Sequence, residues 1–453
     1  MPQRSFFPGR RPGDLSHLRP AGDGGTGGGW DSTAVRSRRG RRPPLDARPP
    51  AGAHDRLGAG HRPPLSGPPG GDQSAAAALP PDGCRMATTA LRTLTEAARA
   101  PFGDWPDRYP GRRAMGILCR YAPAEMVHAA GWTPVRLRGN SAPLRHADAH
   151  LQSFTCALCR STLDQLLAGE LTFLAGTVLA HTCDAMQAQA DLWRMHAPPP
   201  TGDFVETVML PAHLGAPSAR PYLLAELARF REALAAFSGR PLTDDDLRAS
   251  IALYDETRRL VAALQSHRDR LSAAQFFAVL DAAQVMPPEE CNPLLRALLT
   301  DLESVPPRRG GPRLFLVGAV LDEPRLLDLL DGLGVRVSGD DLCNGSRFFR
   351  GQVGAQGDPL TNLADYALQQ APCPAKYHPD HDPGAALVEQ AQQAEADGVV
   401  FVIEKFCEPH AFDYALARPA LEQAGLPALL LEMEQTPSLE ALRTRLQAFA
   451  EML

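Results

Sequence analysis

The run Asp397-Gly-Val-Val-Phe-Val-Ile-Glu-Lys-Phe-Cys-Glu-Pro-His410 constrains the fold more than any other stretch of this chain. A glycine introduces an unbroken apolar segment, Val399 to Ile403, which reads as a buried parallel strand. The chain then turns polar and presents Cys407 just past the strand end, and Pro409 argues against helix immediately behind it. In open α/β sheets that carboxyl edge is where ligands bind. Gly176-Thr-Val-Leu-Ala-His-Thr-Cys-Asp184 is built the same way, with Cys183 at its tip. Two strands that each end in a cysteine beside an acid predict one shared site.

The surrounding pattern is α/β. Met115 to Leu137 reads as strand or extended loop, helix, strand, with Pro123 at the helix start, Glu125 in its first turn and Gly131 at its end. His150 to Leu167 carries a helical face of Leu158, Leu163, Leu166 and Leu167, with Ser153 or Thr155 as cap and Cys156 in the first turn. Residues 220–305 are strongly helical, with a capping signature at Thr243, and Val305 to Pro312 is a linker by composition. A second unit follows: strand Arg313 to Gly318, helix Glu323 to Leu333, strand Gly334 to Ser338, the Cys407 strand, helix Ala411 to Ala424 and strand Leu426 to Glu432. Asp340-Asp-Leu-Cys-Asn344 is placed at a strand's carboxyl end. The alternation predicts parallel sheets with right-handed crossovers. The expected division is a leader over 1–85, an α/β domain over 86–219, a helical region over 220–305 and a second α/β domain over 306–453.

Composition bounds the rest. The chain has 453 residues, 44% of them hydrophobic, enough for a large core and more than one domain. A net charge of -6 with scattered basic residues gives no nucleic-acid footprint. No apolar run of about 20 residues suggests a membrane span, and no signal sequence is present, so a cytoplasmic protein is expected. Lysine occurs only at 376 and 405, the other 44 of 46 basic residues being arginine, as a GC-rich coding sequence produces. The first 85 residues hold 14 Pro and 16 Gly and are expected to be a disordered leader ahead of a start near Met86.

Nine cysteines at irregular spacing do not form a disulfide framework, so thiols free for metal or catalysis are expected. Cys119, Cys156, Cys159, Cys183 and Cys407 fall at strand or helix termini, and Cys343 is a further candidate. The alternative for each is a small buried hydrophobe; Cys291 and Cys373 are left to it, and Cys84 lies in the leader. Thiolates drawn from separate strand ends suit a soft metal or an iron–sulfur cluster. Cys156-Ala-Leu-Cys159 is the only close pair, which argues against a zinc ribbon. His181 and His410 neighbour cysteines and could orient them or exchange protons; Lys405 could place a cation beside a thiolate.

The order His150-Leu-Gln-Ser-Phe-Thr-Cys156, Ala180-His-Thr-Cys-Asp184, Lys405-Phe-Cys-Glu-Pro-His410 and Leu442-Arg-Thr-Arg-Leu-Gln-Ala-Phe449 resembles the 2-hydroxyacyl-CoA dehydratase / benzoyl-CoA reductase family. The likeness is to its 2-hydroxyglutaryl-CoA dehydratase D-component type and runs from about Met115 to Leu453. Cys119-Arg-Tyr-Ala-Pro-Ala-Glu125 and Asp340-Asp-Leu-Cys343 also look like family segments. The resemblance implies two Rossmann-like domains with a [4Fe–4S] cluster between them, held by Cys156, Cys183 and Cys407, with Cys159 as an alternative or additional ligand. It also implies an acyl-CoA substrate, an ATP-hydrolysing activator as electron donor, and a sister subunit or a homodimer. In the dehydratases one electron reduces the thioester carbonyl to a ketyl radical, the 2-hydroxyl group leaves, and the electron is recovered. In benzoyl-CoA-type or double-cubane reductases the electrons stay in the product. A non-catalytic metal-binding or electron-storage protein is the alternative from another class. The chain carries no Gly-x₄-Gly-Lys-Ser/Thr loop of its own.

Overall fold

The computed structural model describes residues 88–354 and 356–453, which belong to one compact unit. The expected leader and Cys84 lie outside the described residues. Two four-stranded, all-parallel sheets set the architecture. The first contains β1 (Ala114–Ile117), β2 (Thr133–Arg136), β3 (Leu174–His181) and β4 (Val205–Met209), in the order β2-β1-β3-β4. The second contains β5 (Arg313–Gly318), β6 (Arg336–Leu342), β7 (Gly398–Glu404) and β8 (Ala428–Met433), in the order β6-β5-β7-β8. The two sheets thus repeat one topology. In each, the chain reverses its direction of travel across the sheet between the two central strands, β1 and β3 or β5 and β7, which opens a crevice at their carboxyl ends.

Burial explains why the sequence takes this form. Every residue of β7 is buried, as the unbroken apolar run requires. Gly318 ends β5 at φ +153° with the Val402 carbonyl where a Cβ would stand, so only glycine lets β5 close on β7 there. Pro134 is tolerated in β2 because β2 is an edge strand. β6 reaches further than expected and includes Asp340 and Asp341. Acids are poor strand formers, but both are paired: Asp340 with Arg268, and Asp341 with Arg347 at 2.5 Å and Arg350 at 3.1 Å.

Helices Ala219–Ser238, Asp244–Gln265, Ala273–Val285 and Pro288–Glu303 form the expected helical region. Thr243 accepts from the Asp246 amide in a capping box. Helix Thr89–Arg99 packs on Ala273–Val285, and helix Leu439–Glu451 packs against Arg325–Gly332. One hydrophobic cluster takes in Leu179 of the first sheet and Leu316 and Val400 of the second, so both lobes share a core. No described helix is long and apolar enough to cross a membrane.

Candidate functional site

Three cysteines occupy equivalent local positions. Cys156 is the N-cap of helix Ala157–Leu167, Cys183 of helix Asp184–His196, and Cys407 of helix Glu408–Gln423. A helix N-terminus offers unpaired amides and a positive dipole end, both of which favour a thiolate. Pro409 does not delay the last helix as expected; it sits in the first turn, where its missing N–H costs nothing. Phe406 adopts a left-handed φ of 69°, which turns the chain sharply between β7 and Cys407.

All three side chains line one cavity of about 930 Å³ at the carboxyl edges of the two sheets. Its wall is mostly apolar, with Phe154, Phe406 and Phe412 at its margin. The thiols feel one another: those of Cys156, Cys183 and Cys407 all raise Cys159, and Cys156 and Cys183 both raise Cys407. The Cys159 thiol and the amides of Cys159 and Leu158 pull Cys156 below the ordinary thiol range against the effect of burial. Burial pushes Cys183 and Cys407 up.

The other expected site residues are placed as follows. Cys159 is buried one turn behind Cys156, 3.8 Å from the Met186 sulfur, and does not line the cavity. His410 is buried with Nδ1 3.2 Å from Cys407 Sγ. His181 ends β3 with its ring on Gln187 at 3.0 Å, outside the cavity wall. Lys405 pairs with Glu434 at 2.7 Å on the surface and likewise does not line the cavity.

A second group of thiols adjoins the first. Cys119 follows β1 and Cys343 follows β6; Cys343 raises Cys119, and both raise Cys373. Burial opposes ionisation of Cys343, but Arg347, donating to its sulfur at 3.6 Å, and His410 bring it down to about 6. Burial raises Cys119, and raises Cys373 to about 12. Cys373, assigned from sequence to the core, also lines the cavity. Its setting between prolines, outside any apolar run, was the available signal. Asp322, half-buried on the loop after β5, and buried Glu404, the last residue of β7, form a carboxyl pair; Asp322 raises Cys156, and Cys156 in turn raises Glu404. Burial pushes both carboxyls up, and Glu404 Oε2 has no partner among the described residues.

Among the described residues no three His, Cys, Asp or Glu side chains converge as ligands of one metal ion. A polynuclear cluster asks for something different, because each thiolate binds its own iron and the sulfurs stand apart around a common space. Three N-cap thiols around one cavity fit that requirement.

Known proteins resemble this chain over most of its length. The model of the 2-hydroxyglutaryl-CoA dehydratase D-component matches residues 119–453. The chain belongs to this family. It is similar to the (R)-phenyllactyl-CoA dehydratase beta subunit of Clostridium sporogenes, with 28% identity over 76% of this chain and 92% of that one. A subunit of the benzoyl-CoA reductase of Thauera aromatica is 29% identical over 77% of this chain and 93% of its own length. The (R)-2-hydroxyglutaryl-CoA dehydratase subunit beta of Acidaminococcus fermentans is 24% identical over 76% and 93%. A D-component-family chain with these relatives is a 2-hydroxyacyl-CoA dehydratase-like enzyme.

Proposed function

We propose that this chain is the iron–sulfur subunit of a 2-hydroxyacyl-CoA dehydratase-like enzyme, with Cys156, Cys183 and Cys407 holding a [4Fe–4S] cluster. The observation that carries the reading is the convergence of these three N-cap thiols, from both lobes, on one cavity. When bound, the cluster would relay a low-potential electron from a separate ATP-hydrolysing activator to the thioester carbonyl of an acyl-CoA, whose 2-hydroxyl group then leaves. The chain's own residues prepare the site. The three helix N-termini stabilise thiolate charge. The apolar wall limits water around the reacting thioester. His410 fixes the Cys407 sulfur by its 3.2 Å contact. A sister subunit or a second copy of the chain completes the enzyme in this reading.

A second reading is favoured by one observation, the neighbouring set of Cys119, Cys343 and Cys373. Six thiols in two adjoining groups would suit a larger, double-cubane cluster and a reductase in which the electrons remain in the product. Anaerobic iron and acid-labile sulfide analysis separates the two. About four irons with matching sulfide per chain support the dehydratase-like reading, and about eight the reductase. Zinc without sulfide overturns both.

A further inference from the structure

Only two lysines exist in this chain, and they have separate fates. Lys405 is engaged with Glu434 on the surface. Lys376 lines the cavity that Cys156, Cys183 and Cys407 share, and no arginine lines it with Lys376 among the described residues. Its ammonium donates to the carbonyl oxygens of His181, the last residue of β3, at 3.2 Å and of Leu210, just past β4, at 3.4 Å. It forms no ion pair among the described residues, although Asp184, Glu408 and Asp413 also line the cavity. Cys373, Cys119 and Cys183 are near enough to influence it. An ammonium has three N–H donors, so two carbonyls leave one for the cavity.

A cation tethered by backbone at the carboxyl edge of a sheet, in a mostly apolar chamber, is positioned to hold an oxygen that carries or gains negative charge. We propose that Lys376 is a substrate-binding residue that donates a hydrogen bond to the carbonyl oxygen of the acyl thioester. The proposal rests on the acyl-CoA reading of the site and adds a residue to it. The chemistry is a charge-assisted hydrogen bond set against a mostly apolar wall. Burial lowers the Lys376 pKa, so the group is less tightly solvated than a surface lysine.

The test compares thioesters with thioethers. The as-isolated, iron-loaded enzyme is titrated anaerobically in a calorimeter with 3-phenylpropionyl-CoA and propionyl-CoA. Each is paired with the thioether that replaces its C=O by CH₂. None of the four carries a 2-hydroxyl group, so none is turned over. The wild type is expected to bind a thioester about tenfold more tightly than its thioether. Lys376→Met should lose that ratio while its thioether affinity stays unchanged, and Lys376→Arg should retain part of it. If Lys376→Met fails to load iron, Lys376→Gln, which keeps donors for the His181 and Leu210 carbonyls, carries the same comparison. A wild-type ratio in these variants overturns the proposal. So does equal weakening of thioester and thioether, the result of a contact to the CoA phosphates. Binding of no CoA compound by the wild type overturns the acyl-CoA reading itself.

Discussion

Cys183 follows β3 and Cys407 follows β7, the matching inner strands of two sheets with one topology, but their surroundings differ. One residue, Thr182, separates β3 from its cysteine. Two residues separate β7 from Cys407, and the second, Phe406, takes a left-handed φ of 69°. Three positions past the cysteine stands Met186 in the first lobe and His410, 3.2 Å from the sulfur, in the second. The strand ends differ too: His181 is partly exposed, whereas Glu404 is buried against Asp322. Among the described residues the Cys183 sulfur has no imidazole partner such as His410 gives Cys407. The second lobe places an imidazole against its thiol and a buried carboxyl at its strand end, and through His410 it reaches Cys343. A repeated topology sets where the ligands sit, and the loop after each strand sets their electrostatic environment.

The strongest challenge to this comparison is to remove each thiol in turn. Cys183→Ser and Cys407→Ser should both abolish the visible absorption of the iron-loaded protein, because each lobe supplies an indispensable ligand. Retained absorption in one of them would remove that cysteine from the ligand set. The next effect is on stability. Asp340→Ala leaves the Arg268 guanidinium buried without its carboxylate, and should cost about 3–5 kcal/mol in urea unfolding. An equal loss on removing the half-exposed Glu289 partner of Arg112 in the first lobe would erase the contrast.

Glu404→Gln tests the carboxyl pair. Burial raises the folded-state pKa of Glu404 above its unfolded value, so its stabilising contribution is complete at acid pH and fades as pH rises. The wild type should lose stability relative to Glu404→Gln between about pH 5 and pH 9, read from urea midpoints. Parallel profiles would mean that the strand ends of the two lobes are electrostatically alike. The smallest effect belongs to Lys405→Ala. Its partner Glu434 is 62% exposed, so neither the unfolding midpoint nor iron content should move measurably.

Much of this arrangement was legible in the sequence. The runs ending at Cys183 and Cys407 mark strand ends because an apolar segment followed by a polar turn has few other solutions in an α/β chain. β4, Val205–Met209, escaped notice because its alternating Val-Glu-Thr-Val-Met pattern is short and lies at the sheet edge. The extension of β6 through Asp340 and Asp341 was hidden because propensity disfavours acids in strands, and Arg268, the partner of Asp340, lies 72 positions away. Rarity marked both lysines equally, but only the fold distinguishes them: Lys405 sits beside Cys407 in sequence and faces solvent, while Lys376 is far from Cys183 in sequence and lines its cavity.

Local pattern alone thus determined the parallel α/β architecture, the helical region and the placing of Cys183 and Cys407 just past strand ends, because periodicity acts over a few residues; that Cys156, Cys183 and Cys407 each cap a helix was not foreseen. The tertiary structure decided which thiols share a cavity, that Cys373 joins Cys119 and Cys343, and that Asp322 meets Glu404. Those outcomes depend on how two sheets and their loops pack, and distances between residues hundreds of positions apart are set by that packing and by no local rule.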